Sequence, residues 1–462
     1  MPVSDVLEMV ERESHAVLGE LFELLRIPSV SADPGRKAEV ARCARWLEGW
    51  LVEAGLRCRV EPTGGHPVVL AEWREAPGAP TVLVYGHYDV QPPDPLEAWT
   101  SPPFDPVVRE GRIVARGASD DKGQMFCHLV AVRAHLRARG RLPVNVVFLL
   151  EGEEECGSEH LEPFLESAGE HLGCDAVVVS DSSQFAPGVP AITYGLRGLV
   201  YLEVEVSGPR RDLHSGSFGG AVRNPANAMA EILAALHGPG GRVAVPGFYD
   251  GVRPLEGWER DQFRRLPFDE EALRQDLGVD ALAGEAGYTV LERLWARPTL
   301  DVNGLVAGHT GEGAKTVIPA RALAKVSCRL VPDQDPERVA SLVEAHVRGL
   351  CPPGCRAVVR TLHLARPVLL PVGGPVVRAA REAVRRGFGA EPVFTREGGS
   401  IPVVEAFRRL LGAPVVLVGF GRPDDRAHGP DEKLDLEDFW AGVRTSAWLW
   451  ELLGVSAPAG KE

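Results

Sequence analysis

The chain has no block of Lys or Arg, no apolar run long enough to cross a bilayer, no dense cysteine array, and little asparagine, glutamine or methionine. Each shortage excludes something. Fifty basic side chains against 64 acidic ones leave a formal net charge of -14, so nucleic acid and anionic membrane are poor partners. The opening stretch, MPVSDVLEMVERESHAVLGELFELL, carries acidic groups through an amphipathic helical pattern and reads as neither a signal peptide nor a membrane span. A cytoplasmic protein is expected. The eight cysteines are scattered, which suits a reducing compartment, and Cys351 and Cys355 flank a Pro-Pro-Gly turn without the second pair that a zinc ribbon needs. The scarcity of Asn, Gln and Met fits a GC-rich genome or a hot habitat, and only the loss of thermolabile side chains has a physical rationale. Two further absences bear on chemistry. SGSFG lacks the first glycine of a nucleophile elbow. GHTGEGAKT sets Ala314 between Gly313 and Lys315, where a phosphate-binding loop needs Gly and Lys adjacent.

A chain of 462 residues is too long for one ordinary core, so two domains are expected. Amphipathic helical patterns alternate with short apolar runs from the start. Helices are expected over 38–54 and 125–139, and strands over 56–61, 67–73 and 81–85. VNVVFLLEG and DAVVVS read as fully buried strands of a parallel sheet. The habit changes near Tyr194, where LVYLEVEVSG alternates as a half-exposed antiparallel strand does. A helix over 224–237, strands over 300–306 and 322–330, a helix over 336–350 and a strand over 356–364 then complete a β-α-β-β-α-β order, with a long insertion over 243–298. The α/β habit returns with helices over 375–388 and 403–411, the strand in APVVLVGFG and a last helix over 436–453. The expected fold is therefore an α/β domain with a mostly parallel central sheet, formed by 1–194 and 365–462. A smaller ferredoxin-like domain over 195–364 interrupts it.

The chemistry gathers at strand ends. TVLVYGHYDV delivers His87 and Asp89 just past a buried strand, and an Asp two residues from a His can orient the ring nitrogen that does not ligate a metal. Asp120 and Asp121 precede a helix, the run Glu153 to Glu155 follows a strand, Asp181 follows another, and His428 lies in the loop after APVVLVGFG. Singly, each has a bland reading, because acidic runs are usually solvated and an Asp before a helix is usually a cap. Together they converge on one edge, since buried strands have no other reason to end in acid. Imidazole mixed with carboxylate suits zinc, manganese or cobalt, and a shared carboxylate suits a pair of such ions. Adjacent glutamates would supply one ligand and one base.

GHYDVQP, GRGASDDKG, EGEEECGSE, YGLRG, DLHSGSFGG, EGAKTVIPARA, CRLVPDQDPE, TREGGSIPV and AHGPDEKL resemble, in order and across nearly the whole chain, a family of di-metal aminopeptidase-like hydrolases. That family includes carnosinase, cytosolic nonspecific dipeptidase, acetylornithine deacetylase and succinyl-diaminopimelate desuccinylase. GHYDVQP, DLHSGSFGG and the long insertion are more similar to the dipeptidase branch. The resemblance implies a zinc-aminopeptidase-like catalytic domain with two divalent ions, zinc or else manganese or cobalt, and a lid through which the chain forms a homodimer. It implies that Asp120 bridges the ions, with His87 and Asp181 completing one site and Glu155 and His428 the other. Glu154 would be the general base and Asp89 the orienting partner of His87. His214 would stabilise the oxyanion across the dimer, Arg329 would hold the substrate's terminal carboxylate, and Thr316 and Ser400 would touch substrate. Two departures stand out. Cys156 replaces the usual Ser after the glutamates, and HLARPVLLPVGGP does not reproduce the histidine-bearing segment of carnosinase, which favours a broad dipeptidase. An N-acyl-amino-acid deacylase on the same site is the alternative, and a non-catalytic binding protein on the same scaffold a distant one.

Overall fold

A computed structural model describes residues 3–169, 172–399 and 401–455. The chain divides into two compact units. One comprises residues 1–194, 370–395 and 402–462, and the other residues 195–369 and 396–401.

The first unit is built on a mixed sheet. Its central strands run side by side in the order Asn145–Glu151, Thr81–His87, Ala176–Val179 and Val415–Val418, all parallel. Antiparallel neighbours flank them, Val68–Trp73 beside Asn145–Glu151 and Ala191–Leu196 beside Val415–Val418. These central strands are apolar on both faces because both faces are covered. Along Thr81–His87, Val82 and Val84 join the main core with helices Ser4–Leu25, Lys122–Arg139 and Leu436–Val455. Tyr85 points the other way, and its ring meets Phe407 of helix Pro402–Leu410 edge-on at 5.4 Å. A parallel sheet has all its C-terminal strand ends on one edge. His87, the Glu153 to Glu155 turn, Asp181 and the loop to His428 therefore share that edge.

The second unit holds a four-stranded antiparallel sheet in the order Thr299–Ala307, Arg321–Leu330, Gly198–Ser207 and Arg356–Ala365. Burial alternates along Gly198–Ser207, and Val200, Leu202, Val204 and Val206 meet helices Pro225–Ala235 and Pro336–Leu350 in one apolar core. The stretch between the first of those helices and the next strand carries three short helices, Gly257–Arg265, Glu270–Asp276 and Val290–Ala296.

Residues 396–401 join the second unit, although sequence periodicity groups them with the flanking α/β segments. The cause is local: the Arg396 guanidinium forms a buried ion pair with Glu259, and the Arg197 N–H donates to the Gly399 carbonyl at 3.1 Å. Further short elements escape periodicity. Val107–Arg109, Arg112–Val114 and Lys433–Asp435 form a small sheet, and Leu161–Ala168 is a helix.

Candidate metal centre

His87 ends a buried strand and is fully buried, with Gly86 before it. That glycine is required by packing: a Cβ there would lie 2.8 Å from Met125 Cγ and 3.0 Å from Asp121 Oδ2. Asp121 Oδ2 accepts the His87 backbone N–H at 3.2 Å, which fixes the strand end from behind. His87 Nε2 lies 3.0 Å from Asp120 Oδ1 and 3.8 Å from Asp181 Oδ1. The other ring nitrogen, Nδ1, bonds the backbone carbonyl of Asp89 at 3.1 Å, while the Asp89 carboxylate sits at 3.4 Å. The expected orientation of the ring is thus supplied first by the main chain of Asp89. Its carboxylate has another task, accepting the backbone N–H groups of Glu154 at 3.2 Å and Glu155 at 3.0 Å.

Asp120 faces two histidines with its two oxygens. Oδ2 lies 3.0 Å from His428 Nε2, and that nitrogen lies 3.3 Å from Glu155 Oε2. Gln91 Nε2 donates to the same Glu155 oxygen at 2.7 Å. Two groups result, His87 with Asp120 and Asp181, and Asp120 with Glu155 and His428. In each, the candidate ligand atoms all lie within 4.8 Å of one another. Asp120 is common to both. Glu154 lies beside these groups and belongs to neither.

Electrostatics tests whether the set fits cations. Burial and the charges of Asp181, Glu155 and Asp89 push the Glu154 carboxyl well above its usual range, against the pull of His87. Burial likewise raises Asp181 to about 6, against its hydrogen bond to His87. Hydrogen bonds to Asp120 and then Glu155 raise His428 to about 10. Burial opposes the charge of Asp120, yet the bonds from His428 and His87 hold it well below the ordinary carboxylate range. The carboxylates of Asp120, Glu154, Glu155 and Asp181 thus repel one another on this edge, and the two imidazoles offset only part of that repulsion. Divalent ions would relieve that repulsion, and the nitrogen and oxygen donors are those that borderline metals accept.

The remaining expected site residues belong to the second unit. His214 ends the strand Leu213–His214, which pairs with Val317–Ile318, and Ser215 N–H donates to the Thr316 carbonyl at 3.2 Å. His214 and Thr316 are therefore neighbours, both exposed. The His214 Nδ1 accepts the Gly216 N–H at 3.0 Å. Arg329 lies on the strand Arg321–Leu330, paired with Leu199 and Thr299. The charge of Asp301 works against the desolvation that lowers the Arg329 pKa. Ser400 lies outside the described residues.

The sequence matches peptidase family M20/M25/M40 over residues 83–451. The chain belongs to that family. It is 33% identical to the Cys-Gly metallodipeptidase dug1 of Schizosaccharomyces pombe over 473 residues, 99% of each chain. Human carnosine dipeptidase 1 superposes with a TM-score of 0.86 at 31% identity, covering 98% of this chain and 99% of the human one. The metallo-carboxypeptidase Sso-CP2 of Sulfolobus solfataricus gives 0.85 at 35% identity, over 95% and 99% of the two chains. Candidate ligands for a dinuclear site, a metallopeptidase family and an α/β fold shared with dipeptidases thus coincide in one chain.

Sequence reasoning names the candidate ligands but misses their supports. It gives no role to Gln91 or Asp121, nor to Arg116 and Glu432, which lie behind the Asp120 and His428 loops. All are joined to their partners by contacts between segments far apart in the chain. Among the described residues, no helix is long and apolar enough to cross a membrane.

Proposed function

We propose that the protein is a metal-dependent dipeptidase that cleaves the amide bond of small unblocked peptides. One observation carries this reading: two candidate ligand groups share Asp120, and Glu154 stands beside them uncommitted to either. His87, Asp120 and Asp181 would hold one divalent ion, and Asp120, Glu155 and His428 the other, zinc being the proposed metal. When bound, such a pair supplies positive charge that polarises the scissile carbonyl and acidifies water.

The protein's own residues do the rest. Glu154 takes a proton from the attacking water and passes it to the leaving amine, a task for a carboxylate whose affinity for protons is raised above that of a free one. Asp89 fixes the Glu154 and Glu155 main chain, so base and ligand keep a constant relation. His214 stabilises the developing oxyanion from the partner subunit. Arg329 holds the terminal carboxylate of the substrate through its planar two-pronged cation, with Thr316 and Ser400 as further contacts. A homodimer through the second unit is part of the proposal. In its support, Val302, Leu305 and Val306 are exposed on Thr299–Ala307, an edge strand. The eight free cysteines support a cytoplasmic setting.

The test is amine release from a panel of dipeptides and N-acetyl or N-succinyl amino acids, with zinc- or manganese-loaded protein and a chelated control. Faster cleavage of unblocked dipeptides, lost on chelation, is the expected result. A preference for acylated compounds would move the protein to the deacylases. Inactivity on both would leave a binding protein on a peptidase scaffold.

A further inference from the structure

Behind the metal centre lies a buried ion pair that the chemistry above does not use. Arg116 and Glu432 are almost completely buried, and Arg116 Nη1 donates to Glu432 Oε2 at 2.7 Å. The rest of the Glu432 carboxylate is spent on one loop. Oε2 also accepts the Gly117 N–H, and Oε1 accepts the N–H groups of Ser119 and Asp120, each at 3.0 Å. Three main-chain donors thus converge on one carboxylate, and the last belongs to the residue common to both ligand groups.

The guanidinium has a matching distribution. Arg116 Nη2 donates to the carbonyl of His428 at 3.0 Å and to that of Pro92 at 3.2 Å, while the indole of Trp99 lies 5.3 Å from its centre. His428 needs such a hold, because its φ of 65° is one that a side-chain-bearing residue adopts at a cost. Pro92 follows Gln91, the residue that donates to Glu155. One ion pair therefore clasps the main chain of the Asp120 and His428 loops and of the segment whose Gln91 braces Glu155.

A buried ion pair is weak evidence for stability, since its desolvation offsets its attraction. What this pair does is geometric. We infer that Arg116 and Glu432 are positioning residues that set the relation between Asp120 and His428, and so the metal affinity of the site formed by Asp120, Glu155 and His428. This rests on the dinuclear reading above. Neither residue offers a ligand atom to that site, and each acts through main-chain atoms of the residues that do.

In Glu432→Gln one oxygen becomes an amide that faces either Arg116 and the Gly117 N–H or the N–H groups of Ser119 and Asp120, donor against donor in both orientations. In Arg116→Lys the charge survives, but a single ammonium replaces the fork that reaches Glu432, Pro92 and His428 together. The experiment loads metal-stripped full-length protein with Co²⁺ and reads affinity by equilibrium dialysis, site geometry by visible absorption and folding by thermal melting. Glu432→Gln is expected to weaken one of the two Co²⁺ sites by about 10- to 100-fold and to change its absorption spectrum. Arg116→Lys should do the same to a lesser degree, and serves alone if Glu432→Gln does not fold. Val443→Ala, in the core of the last helix, is the control: it should lower the melting temperature and leave Co²⁺ affinity and spectrum as in the parent.

Parental affinity and spectrum in the Glu432 and Arg116 variants would overturn the inference, as would an equal loss of affinity in Val443→Ala. A parent that binds no Co²⁺ would overturn the dinuclear reading itself. A parent that binds two equivalents while the variants match it overturns only this inference.

Discussion

Asp89 Oδ2 accepts the backbone N–H of Glu155 at 3.0 Å, so a buried acid outside both candidate ligand groups fixes the main chain of one inside them. Its other oxygen accepts the Glu154 N–H and lies 3.4 Å from His87 Nδ1. Asp89→Asn turns one acceptor into a donor that must face either a main-chain N–H or the imidazole. We expect kcat to fall about 10- to 100-fold with a smaller loss of bound metal. Steady-state kinetics with metal analysis on the same sample checks it, and parental kcat at full metal occupancy would rule out the role.

Glu154 stands next to both candidate ligand groups without joining either. Glu154→Gln keeps shape and burial but removes the basic oxygen. Turnover should drop by about 100- to 10,000-fold, the range for loss of a general base, while metal content stays at the parental value. Loss of metal together with activity would make Glu154 a ligand instead.

Much of this edge is legible in the amino-acid sequence, and the reason is local. Short apolar runs such as VLVYG and VVFLLEG read as buried strands, so the polar residues that follow each one are conspicuous. His87, Glu154, Glu155 and Asp181 are found that way. What escapes is everything that depends on which loop lies against which. Glu432 is 312 residues from Asp120, and Gln91 is 64 from Glu155. Charge and spacing carry no sign of those pairs. Elements of three residues, such as Arg112–Val114, are likewise too short for a period to register. His214 and Arg329 are a different case, since each alone reads as an ordinary loop or strand-end residue and only the resemblance promotes it.

The metal-free protein should lose stability as pH rises. His428 has an ordinary value of 6.5 and is raised to about 10 by its bonds to Asp120 and Glu155. A folded-state pKa above the unfolded one means a contribution fully present below pH 6.5 and lost as pH climbs through about 10. Asp181, raised from 3.8 to about 6 mainly by burial, acts in the same sense at lower pH, so its share is already gone near neutrality. Metal ligation requires neutral His428, and affinity should therefore increase over the interval in which metal-free stability declines. Melting curves of chelated protein from pH 6.5 to 10 should fall, and those of His428→Asn should be flatter. A flat parental profile, or the parental slope in the variant, would contradict the assignment.

Arg329 is half-buried on an interior strand of the second unit, with Asp301 as the nearby acid that favours its charge. Desolvation makes this cation costly in the free protein and correspondingly receptive to an anion. If it receives the terminal carboxylate, the test must vary that group alone. Parent protein should cleave a dipeptide well and its C-terminal amide poorly. Arg329→Met should raise KM for the dipeptide about 10- to 100-fold, the worth of one charged hydrogen-bonding partner, and leave hydrolysis of the amide nearly unchanged. The two substrates would then converge, which general damage to the fold could not produce because it would slow both alike. Equal losses on dipeptide and amide would show that Arg329 supports the strand and that the carboxylate is recognised elsewhere.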